Sequence, residues 1–189
     1  AIAAICVACS GPQDAADVAD APASDEVSEI AELPAICATP EEALQVQEFY
    51  SVTRPGAVLP IPGRKLGMVE AKIASGLLVE NAVGVDGTPE RLAAIWETVD
   101  AWGEDTNVGL VVSIDGWHPF DFPSTVPVTQ ETHNQGFYDV YAVGDDGVHI
   151  HLNPDDVKLI YAANLPAADD TATRTVSLYD SDGRLIVGV

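Results

Sequence analysis

The chain has 189 residues, 47% of them apolar, enough for one folded domain with a tail but short for two. Thirty acidic residues, counted as Asp+Glu 30 against Lys+Arg 8, give a formal net charge of −22. So negative a chain repels nucleic acid and anionic lipid, which excludes both as first-choice partners.

The N-terminus comes first. Residues 1–11, "AIAAICVACSG", form an apolar run that we expect to be the remnant of an export signal. The stretch "CVACS" resembles a bacterial lipoprotein processing site, which implies a lipid on the Cys9 thiol and a membrane anchor. The run is far short of the ~20 apolar residues that span a bilayer. Residues 12–38 are rich in Ala, Asp, Glu, Ser and Pro, with no aromatic ring and no base, and are expected to form a disordered, self-repelling acidic linker. Two of the three cysteines fall in the signal-like run and only Cys37 lies beyond it, which argues against a disulfide framework or a multi-cysteine zinc site.

Residues 39–189 are expected to form a single α+β domain, with N-terminal helices followed by an antiparallel meander sheet. "TPEEALQVQEFY" opens a helix with Thr39 as N-cap, Pro40 at the first turn, and Glu41 and Glu42 beside the positive helix end. "GTPERLAAIWETVDAWG" repeats the device at Thr88, Pro89 and Glu90. Its apolar residues Leu92, Ile95, Trp96, Val99 and Trp102 recur every three or four positions, so one face packs on something large. The region 60–86 fits either strands or a short helix. After Gly103 the chain reads as strands over 107–114, 135–143, 148–152, 157–164, 174–180 and 184–189, separated by turns such as "GDDG", "NPDD" and "DSDG".

Within "GDDGVHIHLNPDD", strand alternation sends Val148, Ile150 and Leu152 one way and His149 and His151 the other. An H-x-H pair on one strand face binds a transition metal when a third ligand approaches, and His133 stands just before the partner strand. The same histidines equally suit an exposed strand without a ligand. No nucleophile elbow, Walker loop, dinucleotide fingerprint or H-E-x-x-H occurs, so no catalysis is expected.

The order of the motifs carries a further signal. "IWETVDAWG" (95–103), "HNQGFYDVY" (133–141), "GVHIHLNPDDVKLIY" (147–161) and "RTVSLYDSDGRLIV" (174–187) follow one another as in a known family. The sequence resembles the heme-utilisation carrier proteins of the ChuX/HutX type, which are related to each half of the HemS-type heme proteins. The resemblance covers roughly residues 92–189. It implies a heme-carrier fold, a non-catalytic role, a homodimer formed through the sheet, and a planar ligand, heme. It puts the family's histidine on His151; a heme there would have Tyr138 or His133 as the alternative or opposing ligand, and Trp117, Phe120, Phe122 and Phe137 as candidates for contact with the macrocycle. Near Val112 the family has a second histidine that this chain lacks. Three functions follow: an envelope-tethered heme carrier; a metal-binding envelope protein using His149, His151 and His133; and a structural or interaction lipoprotein that has lost its ligand. The signal-like run places the protein in the periplasm or at the cell surface, whereas the family resemblance alone implies the cytoplasm.

Overall fold

Two capping devices fix the helices that frame the domain. In the computed structural model, which describes residues 35–56, 59–115, 118–131, 135–142 and 147–189, Thr39 Oγ1 accepts the Glu42 N–H at 3.2 Å. Glu42 Oε2 accepts the Thr39 N–H at 2.9 Å, which completes a reciprocal cap on α1 (Pro40–Thr53). Thr88 accepts from the Arg91 N–H at 3.3 Å and starts α4 (Pro89–Asp100). The ambiguous stretch 60–86 resolves into α2 (Pro60–Leu66), α3 (Glu70–Gly76) and strand β1 (Ala82–Asp86). Gly67, at φ 69°, ends α2 in the left-handed region. Gly84 lies directly under the Tyr161 ring, where a Cβ would stand 2.3 Å from a ring carbon.

The other strands are β2 (Asn107–Ser113), β3 (Pro119–Thr125), β4 (Val128–Thr129), β5 (Tyr138–Tyr141), β6 (His149–Leu152), β7 (Leu159–Pro166), β8 (Ala172–Tyr179) and β9 (Leu185–Gly188). The domain is α+β and its strand pairs are antiparallel, as expected. The hairpins β2–β3, β4–β5–β6 and β7–β8–β9 are consecutive in the chain. They do not form one sheet, however. A six-stranded sheet has the order β1-β7-β8-β9-β2-β3, and a separate three-stranded sheet has the order β4-β5-β6.

Two apolar clusters lie on opposite faces of the larger sheet. Along β7, Leu159, Tyr161, Ala163 and Leu165 join Val46, Tyr50, Ile73 and Leu77 from the α1–α3 side. Ile160 instead joins Leu92, Trp96, Val99, Tyr138, Val140 and Leu152, which belong to α4 and the small sheet. In β9 the pairing skips Ile186, so Leu185 faces the first cluster with Tyr179 and Val187 the second with Leu178. Trp96 is fully buried, and its Nε1–H donates to the Pro127 carbonyl at 2.8 Å, which ties α4 to the start of β4.

Packing begins before residue 39. Ile36 is partly buried against the first cluster, and the Ala38 N–H donates to Ser75 Oγ at 2.8 Å. Cys37 is buried and disulfide-bonded, a single bridge that the cysteine arithmetic did not anticipate. Residues 1–34, with the expected signal remnant, Cys9 and most of the linker, lie outside the described residues.

Candidate functional site

The β5–β6 ribbon has two unlike faces. Its ladder pairs Tyr138 with Leu152, Asp139 with His151, Val140 with Ile150 and Tyr141 with His149. Residues paired across a ladder share a face, so Tyr138, Val140, Ile150 and Leu152 turn inward to the second cluster. Asp139, Tyr141, His149 and His151 turn outward, as alternation requires of the two histidines.

On the outward face the rings form a continuous row. Tyr141 stacks on His149 with centroids 4.0 Å apart and planes 12° from parallel. It also meets His151 edge-on at 5.7 Å and 81°, while Phe137 meets His151 edge-on from elsewhere at 6.4 Å. Beneath the row sits Asp139. It is 1% exposed although it belongs to the outward set, and its Oδ1 lies 2.6 Å from His151 Nδ1. The His151 side chain itself is 49% exposed. The half-buried imidazole thus covers a buried carboxylate and shows its remaining edge to the outside.

His151 also lines an open cavity of about 530 Å³. Phe137 and Ile186 supply apolar wall, Asp155, Asp156 and Asp180 supply negative charge, and Lys158 is the lining cation. Lys158 Nζ donates to the Asp155 carbonyl at 2.6 Å. The volume and the Phe137 and Ile186 surface suit part of a flat apolar ligand, and the imidazole suits a metal at its centre. The three carboxylates do not suit anionic substituents, so any such groups must point into solvent.

Of the site residues expected from the sequence, His151 and Phe137 come together, with His149 one ring further along. Tyr138 does not join them. It is buried on the opposite face, its hydroxyl 2.9 Å from Thr129 Oγ1, so it cannot oppose His151 across a ligand. Burial pushes its phenol up; the Thr129 hydrogen bond opposes this, and the nearby Asp100 and Glu97 charges add to it. His133 and Trp117 lie outside the described residues. Among the described residues no group of three His, Cys, Asp or Glu side chains could hold a metal ion. Phe120 and Phe122 stack on each other along β3, with centroids 6.3 Å apart, and neither lines this cavity. Val112 is partly buried against the second cluster. Sequence reasoning missed Asp139 and Tyr141, and the alternation of "FYDVY" opposite "VHIHL" was the available signal for both.

This architecture has known counterparts. A protein from Erwinia carotovora superposes with a TM-score of 0.59 at 18% identity, over 76% of this chain and 81% of that one. The heme binding protein ChuX aligns with a TM-score of 0.55 at 18% identity, again over 76% of this chain and 81% of ChuX. The fold is therefore ChuX-like, as the motif order implied. The heme degrading enzyme ChuS of Escherichia coli O157:H7 aligns with a TM-score of 0.58 at 15% identity, over 77% of this chain but 40% of ChuS. No protein-family model matches the sequence, and no curated protein does.

Proposed function

We propose that this domain is a non-catalytic carrier that binds heme on the outward face of β5–β6, with His151 as the axial ligand. One observation carries the proposal: His151 presents a half-exposed ring beside a cavity that Phe137 and Ile186 help to line, while a buried carboxylate anchors its other side. Phe137 and Ile186 would contact the macrocycle, and bound heme would supply an iron centre open to an axial nitrogen. Because Lys158 is the lining cation, the propionates would face water, and the binding would be weak and salt-dependent. Titrating the protein with hemin should give a saturable Soret band that His151→Ala weakens at least tenfold. An unchanged band in that variant would remove His151 from the role. Ascorbate and oxygen should leave the bound heme's spectrum intact, and its decay to an open-chain pigment would make the protein an enzyme.

A transition metal is the second reading, favoured by two exposed imidazoles on one strand face. Calorimetry with zinc or copper that shows no heat would remove it. For location we propose the cell envelope. The signal-like residues 1–11 favour export, and a disulfide at Cys37 suits an oxidising compartment. Lipid attachment at Cys9 would consume that thiol, and processing there would remove Cys6. Mass spectrometry of the mature N-terminus decides between a lipidated Cys9 and a cross-link to Cys37. The homodimer that the resemblance implies would be read from light scattering.

A further inference from the structure

We infer that Asp139 is a positioning residue that selects the ligating atom of His151 and biases the site toward ferric heme. This rests on the heme reading above and adds to it a tautomer and an oxidation state. The argument starts from burial. A carboxylate that is 1% exposed is costly unless donors satisfy it, and Asp139 has His151 Nδ1 at 2.6 Å, a short contact of the kind a hydrogen bond to an ionised acceptor makes. Asp139 has a further interaction besides. An ionised carboxylate only accepts, so the proton on the shared line belongs to Nδ1, and the lone pair of the neutral ring sits on Nε2.

The fold keeps that arrangement from rotating away. Asp139 and His151 are direct ladder partners, so the backbone sets their side chains against each other. Tyr141 and Phe137 meet the His151 ring at interplanar angles of 81° and 77° and hold its plane. Turning the ring over would bring Cδ2, a carbon, to the carboxylate and give up the 2.6 Å bond from Nδ1.

The electronic consequence follows from charge. A carboxylate that accepts from the far nitrogen of a metal-bound imidazole raises the basicity of the ligating nitrogen. Its buried negative charge also stabilises the more positive of two metal states. Ferric iron is therefore held more tightly than ferrous iron. At position 139 an asparagine would keep the size and lose the charge.

Two measurements test this, and the first needs neither a variant nor heme. In the 15N-labelled apoprotein, the neutral His151 ring should show a protonated Nδ1 and an unprotonated Nε2. A wild-type ring protonated on Nε2 overturns the inference outright. In the second, hemin-loaded Asp139→Asn should lose at least tenfold of the ferric-over-ferrous preference, equivalent to 59 mV for one electron. Ferric binding in that variant should weaken by about tenfold and remain saturable. An unchanged preference, with binding that still requires His151, overturns the oxidation-state bias while the heme reading stands. Hemin binding that ignores His151 fails the heme reading and takes the oxidation-state bias with it, leaving the tautomer to be decided by the apoprotein alone.

Discussion

The two sides of the six-stranded sheet use similar side chains to opposite ends. On the α1–α3 side, Tyr50, Tyr161, Tyr179 and Glu70 are all sealed from water. Burial pushes all three phenols up, most strongly Tyr179, where the Glu70 charge and the other two tyrosines add to the effect. On the other side, the small sheet lifts Tyr141, His149 and His151 to the surface and buries only the carboxylate beneath them. Rings and an acid occur on both sides. Access to an outside molecule is what separates scaffold from site.

Four substitutions would break or sharpen that contrast. The largest effect should come from Trp96→Ala, which removes a fully buried ring and its bond to Pro127. It should cost about 3–5 kcal/mol in urea unfolding. Hydrogen exchange should accelerate more in β5 and β6 than in α1 and α3. Equal acceleration on both sides would mean that α4 does not specifically support the small sheet.

Next comes Glu70→Met, on the sealed side. Both Glu70 carboxylate oxygens are buried without a hydrogen-bond partner among the described residues. Replacing such a group with an apolar one of similar size should raise stability by about 1–3 kcal/mol. A drop in the urea midpoint would show that Glu70 is a satisfied structural group.

The smallest effect belongs to the α1 cap. Thr39→Ala should cost about 1 kcal/mol. Burial raises the Glu42 carboxyl, but the Lys72 ammonium at 2.7 Å and the Thr39 N–H outweigh it and hold the group below its usual value. A carboxyl lowered on folding adds stability above its unfolded value, and that stability fades as the pH falls through the folded one. The difference between wild type and Glu42→Gln should therefore be present at neutral pH and vanish in acid. A difference that persists in acid would mean the cap works without the charge.

Much of this was legible in the sequence, for identifiable reasons. Thr39 and Thr88 carry local capping chemistry, so both helix starts were readable without tertiary information. Region 60–86 was not, because Pro60 and Pro62 stand inside a short helical segment that Gly67 ends, and a helix so short depends on packing against its neighbour α3. The split into two sheets was also hidden. Consecutive hairpins look alike in sequence, whether or not β6 continues into β7. At the site, the direction of His151 followed from alternation, while Tyr138 was named a ligand from the family resemblance, with no register to say which face it takes. The observed ladder pairs Asp139 with His151 and Tyr138 with Leu152. One residue of register decides the face, and here it turns Tyr138 into the core.

The central claim is that the outward face of β5–β6 is where a guest molecule sits. Adding ferric hemin to the 15N-labelled domain tests it directly, because the paramagnetic iron broadens the amide signals nearest to it. Broadening should concentrate on residues 137–141 and 149–152 and spare α1 and α3. Broadening centred on the α1–α3 side, or none at saturating hemin, would contradict the account.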